Sequence, residues 1–140
     1  MRFVGSECGA RRLLIFPTIA LTASLIGFLK SQDSKAQDSD AGKQQFLTSC
    51  GTCHSAENGA GNRQGPNLFG VYGRRVGERT DFKYSDALKA GTWAWTEETL
   101  DPWIENAQAA HPGTMMNYRQ ANPDKRKLVI DYLRKMRPAN

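Results

Sequence analysis

Apolar positions along this chain fall into three regimes. Leu13 to Leu29, "LLIFPTIALTASLIGFL", is almost continuously apolar, and the "KSQDSKAQDSD" that follows is almost wholly polar. Beyond it, apolar residues recur at helical spacing in four short pieces. Ser39 or Asp40 caps a first helix on which Phe46 and Cys50 share a face at i, i+4. Ser85 caps "SDALKAG", which Gly91 ends. Thr96 opens a third helix that groups Leu100, Trp103 and Ile104. Pro102 inside it removes a hydrogen bond to Glu98 and predicts a late start or a bend. The last helix is the clearest, with Asn122 as N-cap, Pro123 at the first helical position, and Leu128, Val129, Tyr132, Leu133 and Met136 as one apolar stripe.

Between the first two pieces, Asn58 to Asp81 is rich in glycine and has no period, so it is loop. A loop that long inside a compact domain has to be held by something. No strand alternation and no internal repeat occur. The pattern predicts an all-α domain of about four to five helices, with long loops wrapped around a body that its own side chains do not supply.

Composition adds the organisation. The 140 residues, 39% of them hydrophobic, suit one small domain and an extension. The net charge of +5 is uneven. Residues 1–36 carry Arg2, Arg11, Arg12, Lys30 and Lys35 against Glu7 and Asp33, whereas the remainder is close to balance, with no clustered basic face for nucleic acid. Arg11-Arg12, the apolar run and then Ser34-Lys35-Ala36 follow the order of a bacterial export signal cleaved near Ala36. The run also sits at the lower limit for spanning a bilayer, so an uncleaved anchor is the alternative reading, and the only one that brings membrane contact. Residues 1–36 are therefore read as signal or anchor, 37–41 as linker and 42–140 as the folded domain. Cys8 is a passenger of the first segment, which leaves Cys50 and Cys53 for the domain.

Those two cysteines lie in "SCGTCH", Ser49 to His54. Zinc takes four ligands, commonly from two separated pairs, and the only other histidine is His111. A redox dithiol needs a βαβ surround that the pattern does not offer. Cys-x-x-Cys-His is also the attachment signature of covalent haem. On a helical turn Cys50 and Cys53 face one way, towards two vinyl groups, and His54 turns its ring nitrogen to the iron. A flat apolar cofactor would give the glycine-rich loop its missing body, and thioether formation follows export of an unfolded chain. The iron's other axial position suits a methionine thioether. Met136 belongs to the apolar stripe, while "HPGTMMNY" places Met115 and Met116 on a loop; composition does not choose between them. His111, before a proline in a turn, reads as a solvated loop residue.

From about Gly42 to Met136 the sequence resembles the class I c-type cytochromes of the mitochondrial and alphaproteobacterial type. "GKQQFLTSCGTCH" is similar to that family's first helix, with Gly42 and Phe46 crossing the last helix near Tyr132. "GPNLFGVYGRRVG" resembles its haem-cradling loop, which implies that Pro66 accepts from the His54 ring, Leu68 packs on the haem edge and Arg74 lies by a propionate. "FKYSDALKAGTWAWTEETL" implies propionate donors at Tyr84 and Trp95. The register of "PGTMM" implies Met116 as the ligand and Thr114 as a further propionate partner. Two departures make the pocket less polar: Trp103 stands where the family has a tyrosine reaching the axial sulfur, and Leu88 where it commonly has asparagine. Gln108, Ala109 and Met115 stand where it often carries docking lysines.

The resemblance implies one covalent haem c, with His54 and Met116 as iron ligands, and no vacant position for substrate. The expected function is that of a periplasmic one-electron carrier, a monomer that docks transiently with an oxidase, reductase or dehydrogenase. The alternative is a haem peroxidase or ligand-binding haem protein with a labile sixth ligand.

Overall fold

The computed structural model describes residues 40–138. The export-signal reading, Cys8 and Ser39 lie outside them. Among the described residues no helix is long and apolar enough to cross a membrane.

The described residues form five helices in order: α1 at 40–49, α2 at Asp86–Lys89, α3 at Glu97–Glu105, α4 at Ala107–Ala110 and α5 at Pro123–Lys135. Helix α1 is already formed at Asp40, ahead of the Gly42 boundary, where a carboxylate in the first turns suits the positive end of the helix dipole. It crosses α5 closely. A Cβ on Gly42 would lie 2.9 Å from the Leu128 carbonyl oxygen and 3.1 Å from the Tyr132 Cβ. One turn on, Phe46 packs on Tyr132 with ring centroids 5.2 Å apart.

Helix α5 is capped as its sequence predicts, the Asn122 side chain accepting from the amides of Asp124 and Lys125. Its buried face comprises Arg126, Val129, Ile130, Tyr132 and Leu133, so Ile130 joins the stripe and Leu128 is only half-covered. Arg126 is buried because it ties α5 to α3. Its Nε donates to Asp101 at 2.7 Å, and Nη1 donates to the carbonyls of Gln120 and Ala121 at 3.0 Å each.

Helix α3 does not start late. Its first turn is closed by the Thr96 amide donating to the Thr99 hydroxyl at 2.8 Å, while the Leu100 amide donates to the Thr96 carbonyl at 2.8 Å. Pro102 sits inside the helix on an exposed position. Leu100, Trp103 and Ile104 are buried together, as their spacing predicts. Helix α4 is an addition to the pattern. It is a single turn whose start is capped by the Asn106 side chain, which accepts from the Ala109 amide.

Among the described residues there is no strand, only isolated bridges at Arg75–Ala94 and Asn106–Arg119. The long loop is held by its own polar groups as well as by what it surrounds. Asn67, 3% exposed, donates to the carbonyls of Glu57 (2.9 Å) and Ala60 and accepts from the Phe69 amide at 2.7 Å. Further along, the Gly73 amide donates to Trp95, the Val76 amide to Trp93, and the Trp95 amide back to Arg74, at 2.8 to 3.0 Å.

Candidate functional site

The helices and the loop enclose a cavity of about 450 Å³. Cys50, Cys53, His54, Pro66, Leu68, Arg74, Tyr84, Trp95, Thr114 and Met116 all line it. The sequence positions singled out for one cofactor therefore converge on one space.

The "SCGTCH" stretch continues α1 as a single turn rather than as helix. The Cys53 and His54 amides donate to the Cys50 carbonyl at 3.0 and 2.9 Å, after the Cys50 amide bonds Phe46. Neither cysteine is tied up in a disulfide, which leaves both available for attachment. Before attachment, burial and then the neighbouring Cys53 push the Cys50 thiol up to about 12. His54 Nδ1 lies 2.8 Å from the Pro66 carbonyl oxygen. A carbonyl only accepts, so Nδ1 carries the proton and Nε2 keeps its lone pair. Burial lowers the His54 pKa, opposed by the Pro66 bond, and the ring remains neutral. Gly65 makes this placement possible, because a Cβ there would lie 2.2 Å from the His54 ring. Among the described residues no group of three or more His, Cys, Asp or Glu could hold a metal ion, which leaves the zinc reading without a donor set.

Two further polar groups line the cavity. Among the described residues, Arg74 is the only charged one lining the cavity. It donates to the carbonyls of Phe69 (3.0 Å) and Asn67 (3.4 Å), forms no ion pair among the described residues, and has its pKa lowered chiefly by desolvation. The Ser85 hydroxyl is buried without a partner and lines the same cavity. The sequence marks Ser85 as a helix cap, yet it makes no side-chain cap bond. Near it, burial raises the Tyr84 phenol. A cation and an orphaned hydroxyl in a mainly apolar chamber suit a group with an apolar body and an anionic margin, as a haem has. Trp103 and Leu88 also line the cavity, in keeping with a less polar pocket.

The methionine loop lies alongside. Thr114 is 6% exposed, and its hydroxyl accepts from the Met116 amide at 3.3 Å. Met116 is half-buried, whereas Met115 is 66% exposed at the cavity margin. His111 is not the solvated residue that its turn setting predicts. It is half-covered and stacks on Trp93 with centroids 3.9 Å apart and planes 10° apart, and burial lowers its pKa.

The cytochrome c family profile matches residues 39–137. The chain belongs to the cytochrome c family. It is 37% identical over 103 residues to the cytochrome c of Guizotia abyssinica, covering 73% of this chain and 93% of that protein. To the Stellaria longipes cytochrome c it is 39% identical over 100 residues, covering 71% and 93%. To that of Chlamydomonas reinhardtii it is 38% identical over 103 residues, covering 73% and 92%. Membership settles the broad chemistry of the cavity. The protein carries a covalently bound haem c with its iron, transfers electrons rather than acting as an enzyme, and meets redox protein partners by transient docking.

Proposed function

We propose that this protein is a periplasmic one-electron carrier whose haem is joined to Cys50 and Cys53 and whose iron is held by His54 Nε2 and Met116 Sδ. The observation that carries this reading is the convergence of His54, with its proton committed to Pro66, and the half-buried Met116 on one cavity. Bound haem supplies a one-electron iron couple, and a His/Met ligand set raises its potential.

The protein's own groups do the rest. Pro66 fixes the tautomer and tilt of His54, a restraint that keeps the same nitrogen available in both oxidation states. Arg74, Tyr84, Trp95 and Thr114 would bond the propionates, joined by Ser85, whose hydroxyl has no partner among the described residues. Leu68 and the surrounding apolar wall exclude water from the iron. With His54 and Met116 both holding the iron, the site would leave no position for a substrate and would suit one-electron exchange with a docked partner. The exposed residues lining the cavity, Gln64, Met115 and Asn117, are uncharged, which supports docking with little electrostatic steering.

Met116→Ala is expected to abolish the methionine-to-iron charge-transfer absorption and lower the potential, with Met115→Ala nearly silent. The reverse pattern would overturn the ligand assignment. The compartment rests on the order of Arg11-Arg12, the apolar run and the polar residues to Ala36. The mass of the exported protein tests it, since cleavage near Ala36 and one covalent haem are read together. A mass retaining residues 1–36 would favour the anchored form.

A further inference from the structure

We infer that Gln108 sets the register of the methionine loop and thereby decides that Met116, not Met115, faces the iron. The inference rests on the ligand assignment proposed above. Gln108 stands at a position where the family resemblance implies a docking lysine, yet its side chain is engaged. Its Nε2 donates to the Thr114 carbonyl at 2.8 Å and to the Met116 carbonyl at 3.0 Å. Both protons of one amide are thus spent on the residues either side of Met115.

The platform that holds this amide is firm. Ala107, immediately before it, is fully buried, and its amide donates to the Tyr118 carbonyl at 3.2 Å. Asn106 caps the same turn, and the His111 amide closes it on the Ala107 carbonyl at 3.0 Å. From this turn Gln108 reaches across the loop and fixes two alternate carbonyls on one side. The side chains between them then divide: Met115 turns out, and Met116 turns into the cavity wall with its amide on the Thr114 hydroxyl. Two adjacent methionines have the same affinity for iron, so only the backbone register separates them. Gln108 is a positioning residue, acting through the two carbonyls and not by contact with the iron.

Gln108 is itself exposed, so its replacement opens no core cavity. The test uses the haem-loaded protein and exogenous imidazole, which binds the iron only when the methionine has left. The apparent imidazole affinity therefore reports the open fraction of the loop. Gln108→Ala removes both bonds, and Gln108→Glu keeps the shape but turns acceptors towards acceptors. Two neutral hydrogen bonds set the expected gain in imidazole affinity at about 30-fold in either variant, with global stability falling by no more than the same amount, about 2 kcal/mol. Imidazole affinity within about twofold of native in both variants would overturn the inference. Met116→Ala separates the two levels of argument. If that variant keeps the charge-transfer absorption, the ligand assignment fails; if it loses it while the Gln108 variants bind imidazole like the native protein, the register assignment alone fails.

Discussion

Replacing Asn67 with alanine tests what holds the long loop. Asn67 is 3% exposed and its side chain makes three bonds, two as donor to Glu57 and Ala60 and one as acceptor from Phe69. Truncation strands two carbonyls and one amide in a region closed to solvent. An ordinary bond contributes about 1 kcal/mol net, and a stranded buried group costs about 1–3 kcal/mol, so the expected loss is roughly 3–5 kcal/mol. For a domain of this size that is a fall in Tm of about 15–25 °C. The assay is denaturant unfolding of the haem-loaded protein followed by far-ultraviolet circular dichroism. Asn67→Asp is the sharper variant: it keeps the acceptor for Phe69 but sets carboxylate oxygen against two carbonyls, and should cost at least as much as alanine. A loss below about 1 kcal/mol in Asn67→Ala would refute the reasoning, because the loop would then be held by its cofactor alone.

Three further outcomes are expected. The unfolded chain protonates His111 near its ordinary pKa, while the folded protein holds that pKa lower through burial against Trp93. Stability should therefore fall as pH drops below about 6.5 and level off below the folded value. Urea titrations of His111→Phe should show a shallower decline across that window, and an unchanged slope would contradict the assignment. Electron exchange with ferricyanide should vary little with salt, since the exposed cavity margin is uncharged, and Met115→Lys should introduce a clear ionic-strength dependence. Ser85→Ala should lower the thermal stability of the haem-loaded protein although no cap bond is lost; unchanged melting would remove Ser85 from the propionate set.

What the sequence made legible was chemistry confined to neighbours in the chain. The thiols and imidazole of "SCGTCH" must be local to engage one cofactor, and the Asn122-Pro123 start of α5 is a local rule obeyed in three dimensions. What stayed hidden was carried by distance or by double meaning. Arg126 lies outside the apolar stripe read for its helix and is buried because Asp101, far off in sequence, meets it. Four residues of α4 are too short to show a period, and Asn106 ends one helix while capping the next. Ser85 has the signature of a cap and the environment of a ligand-facing hydroxyl. His111 before Pro112 looks like turn chemistry until Trp93, which only the fold brings alongside, covers its ring.

That stack has a mechanical consequence. The segment around Trp93 and Trp95 is laced by backbone bonds to the loop bearing Arg74, and Trp93 presses flat on the histidine at the foot of the methionine loop. The histidine-side and methionine-side walls thus share a hinge, and a local opening that frees one must disturb the other. The cavity should breathe as one cooperative unit, with amides on both walls exchanging through a single opening. A carrier built this way has little room to relax separately around either oxidation state, which keeps the work of reorganisation low each time an electron arrives or leaves.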